Sequence, residues 1–115
     1  MALYLLQVTY TPEAWAAQLK SPQDRTKVVA PLLEQLGGRF VNTYFAFGDY
    51  DIVAVLELPD NVSAAAASLA ISAGGAVKAI KTTPLMAIEE GLQAMRKAAA
   101  AGAAYRPPTA GAASG

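Results

Sequence analysis

The chain has 115 residues, 9 basic and 9 acidic side chains, and neither histidine nor cysteine. That length bounds it to one domain, able to bury an apolar core without disulfide or metal support. Zero formal charge removes the electrostatic case for nucleic acid or an anionic membrane surface. The missing thiols and imidazoles remove thiol catalysis, zinc–thiolate and iron–sulfur sites, the usual general base and the usual haem ligand.

No cofactor and no metal is therefore expected. No apolar run approaches about 18 residues, so no membrane span is expected either. Residues Met1 to Gln7 lack the basic region and apolar length of a signal peptide. The expectation is a soluble cytoplasmic protein.

Leu3 to Tyr10 alternates as a strand, with neither face fully polar. Thr11-Pro12-Glu13 then starts a helix: a capping hydroxyl, a proline whose missing N–H costs nothing there, and an acid near the positive helix end. Lys20-Ser21-Pro22 interrupts it, and Ser21-Pro22-Gln23-Asp24 reads as a capping pattern for a second piece. Val28, Val29, Leu32, Leu33 and Leu36 give that piece a helical stripe, Pro31 should bend it or start its last turns, and Gly37-Gly38 should end it.

The next stretch organises the chain. Arg39 to Phe47 and Tyr50 to Leu58 read as two antiparallel strands joined by a tight turn through Gly48-Asp49. Pro59-Asp60-Asn61 ends the second of them and caps an alanine-rich helix over 62–73, which Gly74-Gly75 stops. Val77 to Thr83 is a fourth strand, and Pro84 marks it as an edge. Ile88 to Ala101 is a terminal helix with Glu89 and Glu90 early and Arg96 and Lys97 late, as the helix dipole favours. A domain over 1–100 is expected, followed by a flexible Ala/Gly/Pro-rich tail over 101–115, within which Tyr105-Arg106-Pro107-Pro108 could dock in an extended form.

Strand, helix, strand, strand, helix, strand is the ferredoxin-like order, an α+β fold with both helices on one face of a four-stranded antiparallel sheet. Leu6, Val8, Val41, Phe45, Ile52, Ala54, Leu56 and Ile80 are expected to face the helices. Leu5, Gln7, Thr9, Asn42, Tyr44, Asp51, Val53, Val55, Glu57, Ala79 and Lys81 are expected on the other face. That second face is too apolar to stand in water, which predicts a homodimer packed around a partly polar interior.

Four clusters could carry function. Gly48-Asp49-Tyr50-Asp51 is either a ligand-binding turn, with a permissive glycine and two carboxylates, or a hairpin turn plugged by Tyr50. Glu57 and Lys81, with Gln7, are either a buried acid/base pair or a structural ion pair. Tyr4, Tyr10, Tyr44 and Tyr50 either line an aromatic pocket or pack the core and interface. Lys20, Arg25 and Lys27 either bind an anion or form a solvated face, and the lone Trp15 reads as packing.

The chain resembles the GYD-domain family of small bacterial proteins, from about Leu3 to Lys97. The pieces that match are Tyr4-Leu5-Leu6-Gln7-Val8-Thr9-Tyr10-Thr11, Leu36-Gly37-Gly38, Gly48-Asp49-Tyr50-Asp51, the alanine helix, and Lys81-Thr82-Thr83-Pro84-Leu85 with Ile88-Glu89-Glu90-Gly91. The name triplet is present with Asp49 between Gly48 and Tyr50-Asp51, as is common in the family. The resemblance implies a dimeric α/β-barrel architecture and says little of activity. Three functions follow: a homo-oligomeric binding or accessory module holding a small apolar or aromatic ligand, a cofactor-independent oxygenase or isomerase, or a PII-like regulator. The short central turn and the break at Ser21-Pro22 speak against the third. Candidate ligand contacts are Gln7, Asn42, Tyr44, Asp51, Glu57 and Lys81.

Overall fold

A computed structural model describes residues 1–109 and divides the chain into two compact units, Met1–Leu85 and the segment from Met86 onward. In the first unit, β1 (Ala2–Tyr10) leads into α1 (Pro12–Lys20) and α2 (Arg25–Gln35). Then come β2 (Arg39–Phe45), β3 (Ile52–Leu58), α3 (Asn61–Ala73) and β4 (Val77–Leu85). The four strands form one antiparallel sheet in the order β2-β3-β1-β4, the ferredoxin-like arrangement expected from the element order.

Local chemistry explains the element ends. Thr11 caps α1 by accepting from the Ala14 N–H at 3.1 Å. The cap of α2 is Asp24, which accepts from the Thr26 N–H, and not Ser21, which instead closes α1 by donating its N–H to the Ala17 carbonyl. Pro31 lies inside α2 without breaking it. After α2, the Gly37 N–H donates to the Glu34 carbonyl and the Gly38 N–H to the Leu33 carbonyl, a Schellman ending that needs the positive φ of 84° at Gly37. Asp60 caps α3 through the Ser63 N–H at 2.8 Å.

The core lies between one sheet face and the helices. Tyr4, Leu6, Val8 and Tyr10 from β1 and Ile52, Ala54, Leu56 and Leu58 from β3 are buried there, with Leu33 from α2 and Ala64 and Ala67 from α3. Fully burying a side chain such as Leu33 or Leu56 stabilises by roughly 1.5–3 kcal/mol. The small Ala64 and Ala67 let α3 sit low on the sheet.

Both edge strands depart from simple alternation. In β2 the register shifts between Phe40 and Asn42, leaving Val41 as an extra residue. Phe40 therefore pairs with Leu56 and packs on the core, whereas Val41, expected on the helix side, is exposed. In β4 a shift opposite Thr9 and Tyr10 sets Lys78 apart and brings Val77 onto the core. The hairpin turn is also longer than expected: β2 stops at Phe45 and β3 begins at Ile52, so six residues connect them. Strand β4 runs past Pro84 to Leu85, which its edge position permits.

The second unit holds α4 (Ile88–Ala101), where the Glu90 carboxylate accepts from the Ala87 N–H and Arg96 pairs with Glu89 at 3.6 Å. Ile88, Leu92 and Met95 form an exposed apolar stripe along it. A 3-10 turn over Gly102–Ala104 continues the helix, so the expected tail is structured at its start. Tyr105-Arg106-Pro107-Pro108 has no regular structure, and the part of the expected tail over 110–115 lies outside the described residues.

Candidate functional site

The helix-free sheet face can be written out row by row from the strand register, in the order β2, β3, β1, β4. The first row is Arg39, Glu57, Leu3, Leu85; the second is Asn42, Val55, Leu5, Thr83; the third is Tyr44, Val53, Gln7, Lys81. Thr9 and Ala79 begin a fourth. Four of the expected contacts, Gln7, Asn42, Tyr44 and Lys81, thus share this face in two adjacent rows. They are spread across it, since neighbouring strands stand about 4.8 Å apart. Gln7 is half-buried at the centre, and Tyr44 and Lys81 are exposed at opposite edges.

Glu57 and Lys81 are not brought together. They lie on non-adjacent strands and in different rows, so no acid/base or ion pair joins them within one copy. The carboxylate of Glu57 instead meets its row neighbour Arg39 at 3.3 Å. With the Arg39 side chain 61% exposed, that pair is worth under about 1 kcal/mol.

Asp51 leaves the open-face set for a clear reason. Its Oδ2 accepts from the Tyr10 N–H at 2.9 Å and from the Trp15 indole N–H at 3.2 Å. Around it, the Asp51 N–H donates to the Val8 carbonyl, the Ala46 N–H donates to the Asp51 carbonyl, and the Thr9 hydroxyl donates to the Asp49 carbonyl. The Gly48-Asp49-Tyr50-Asp51 segment is thus a clasp that fastens the β2–β3 connection to the end of β1 and the first turn of α1. Gly48 has neither a positive φ nor any atom that an added Cβ would meet, so the turn does not need its conformational freedom.

The tyrosines do not gather into one pocket. Tyr4 is in the core with its hydroxyl donating to Asn61 Oδ1 at 2.7 Å, and Tyr10 is in the core with its ring edge-on to Trp15 at 5.4 Å. Tyr44 stands on the opposite face, and Tyr50 is half-buried in the clasp. Burial, the largest influence, raises the Tyr10 pKa; Asp51 and Asp24 push the same way, and Arg25 opposes them.

A model of the GYD domain matches residues 4–95, most of the chain. The chain belongs to the GYD family. In this GYD protein the family's namesake turn is the clasp just described, and its carboxylate faces inward to Tyr10 and Trp15. No curated protein and no solved structure matches the chain at a significant level. No group of three or more Asp or Glu side chains suited to a metal ion occurs among the described residues, and no described helix is long and apolar enough to cross a membrane.

One feature of the GYD domain here was not foreseen from the residues. Helix α2 lies over β2 and α3 over β4, and between them an apolar cleft of about 230 Å³ opens above β1 and β3. Leu6, Val8 and Ile52 line it from the sheet, Val29 and Leu32 from α2, and Ile71 from α3, with Tyr10, Arg25 and Thr26 adding polar groups. Of the three cations considered from the sequence, Arg25 alone lines this cleft; Lys20 ends α1 and Lys27 is exposed on α2. Alternation and helical spacing identify which faces are apolar, but not how far apart two helices settle.

Proposed function

We propose that this GYD protein is a homo-oligomeric binding module, assembled through the helix-free sheet face and able to hold a small apolar or aromatic molecule between copies. One observation carries the reading: the ordered rows of that face, in which Leu3, Leu5, Val53 and Val55 fill the two central strands beside Gln7, flanked by Asn42 and Tyr44 on β2 and by Lys81 and Leu85 on β4. The helices α2 and α3 cover the other face of the sheet and leave this one uncovered within the first unit.

The size of the face sets an expectation. Four strands spaced about 4.8 Å and four rows at roughly 6.7 Å along each strand give about 500 Å² per copy. Two such faces bury about 1,000 Å², the lower bound for a specific interface. The assembly is therefore expected to draw on further surface, or to be stabilised by a ligand held at the middle rows. Enclosed between copies, Gln7 and Lys81 would need polar partners, which a ligand or ordered water supplies. A bacterial cytoplasm is the setting this reading assigns, following the family resemblance.

Native mass spectrometry of gently isolated protein tests the reading, with Val55→Lys as the control. The unaltered chain is expected as a defined oligomer with an added small-molecule mass. The variant, which places a charge at the centre of the second row, is expected to shift toward monomer. A monomeric unaltered chain, or an oligomer indifferent to Val55→Lys, would overturn the assembly.

A further inference from the structure

We propose that the cleft between α2 and α3 binds a small monocarboxylate with an apolar body about the size of one aromatic ring and a short chain. This site lies on the helix side of the sheet, opposite the face assigned to assembly, and it does not depend on that assembly.

Three observations carry the proposal. The first is size and lining. An apolar cavity of ~150 Å³ is enough to take benzene. At about 230 Å³ the cleft accepts a ring with a few further atoms, against side chains such as Leu32 and Ile71.

The second is Arg25. It is half-buried at the start of α2 and lines the cleft, and its one hydrogen bond is to Gln23 Oε1 at 3.5 Å, the outer limit of such a contact. Among the described residues it has no carboxylate at ion-pair distance, whereas Arg39 and Arg96 each have one. A guanidinium presents paired N–H donors that match the two oxygens of a carboxylate. At the rim of an apolar cleft, that fork selects a charged head on an apolar body.

The third is Tyr10. The residue is only 9% exposed and lines the same cleft, and its hydroxyl has no hydrogen-bond partner among the described residues. No buried side-chain N or O atom lacks a partner among the described residues, so this hydroxyl is open to the cleft and its solvent and is free to donate to a ligand. With both carboxylate oxygens on the Arg25 fork, one of them can also accept from the Tyr10 hydroxyl. Asp24 and Asp51 also face the surroundings of Tyr10, but both are engaged: Asp24 caps α2 through Thr26, and Asp51 accepts from the Tyr10 N–H and Trp15.

The lone tryptophan reports on the site, because Trp15 packs edge-on to Tyr10 at 5.4 Å. The test titrates the full chain with 3-phenylpropionate and, separately, with its neutral counterpart 3-phenylpropan-1-ol, following Trp15 emission and calorimetric heat. The acid is expected to bind about tenfold or more tightly than the alcohol, in keeping with a charge-assisted bidentate contact. Arg25→Gln should erase that preference, Tyr10→Phe should weaken the acid alone, and Ala70→Phe, from the exposed surface of α3 into the cleft, should block both probes. Val55→Lys should bind the acid unchanged, which separates this site from the assembly face. Equal affinity for acid and alcohol, an Arg25→Gln variant that keeps the preference, or no binding of either probe would overturn the proposal.

Discussion

Removing the Asp51 carboxylate is the most informative perturbation of the clasp. In Asp51→Ala two donors lose their acceptor, the Tyr10 N–H at 2.9 Å and the Trp15 indole N–H at 3.2 Å. Both bonds are partly buried, and a hydrogen bond to a charged group is worth roughly 1.5–3 kcal/mol. Water can reach part of the site, because Asp51 is only half-buried, so the expected loss is about 2–4 kcal/mol rather than the full sum. A domain of this size has a total stability of about 5–15 kcal/mol, so the effect should be plain in urea unfolding. Asp51→Asn keeps one acceptor oxygen and should lose about half as much. Trp15→Phe removes the indole donor and keeps a ring against Tyr10, so combining it with Asp51→Ala should give a coupling of about 1 kcal/mol. The reasoning fails if Asp51→Ala costs under about 1 kcal/mol and the pair is additive. In that event the carboxylate would be structurally idle and available to a ligand.

Further predictions follow from single features. Ala at Gly38 would drive its Cβ into the Glu57 carbonyl and the Leu58 side chain, so Gly38→Ala should destabilise strongly by thermal melting; Gly48→Ala meets nothing and should be neutral or slightly stabilising. Leu33, fully buried under the helices, should cost about 2–5 kcal/mol on truncation to Ala in urea unfolding. Hydrogen bonds from Thr26 hold the Asp24 carboxyl below its ordinary value of 3.8, and bonds from Ser63 do the same for Asp60. The stability each cap adds is present above pH 3.8 and is lost as the pH falls through the lowered folded value, so Asp60→Asn should flatten the acid limb of a pH–stability curve. For Tyr10, whose folded pKa is raised above 10.0, stability is full below that pH and declines as the pH rises through the folded value. A spectrophotometric titration should therefore show an ionisation above pH 10.0 that accompanies alkaline unfolding and is absent from Tyr10→Phe.

The fold was legible because its signals were local. Thr11-Pro12, Asp60 and Gly37-Gly38 each mark an end by their own chemistry, and the alternation along β1 and β3 fixed both core strands. The edge strands were harder, since a bulge puts the side chains on its two sides out of step with simple alternation and leaves no mark in composition. That is why Val41, expected toward the helices, is exposed while Phe40 packs on the core. Asp51 looked like a free carboxylate because its partners, Tyr10 and Trp15, are remote in sequence and meet it only when the connection folds back. Gln7, Asn42, Tyr44 and Lys81 were placed together correctly because the rule of alternate faces held wherever the register ran unbroken. The cleft had no sequence signature, being a gap between elements rather than a property of any one.

The strand order leaves β2 and β4 as the two rims of the sheet, and they are unequally defended against illicit pairing. The β4 rim carries Lys78, Lys81 and the N–H-less Pro84, all devices that discourage a passing strand from joining. On the β2 rim the bulge at Val41 guards only the end nearest Arg39. Beyond it Asn42, Thr43, Tyr44 and Phe45 run regular, exposed and uncharged. If the protein ever polymerises, growth should begin on that side, and a lysine at Thr43 would be the simplest guard against it.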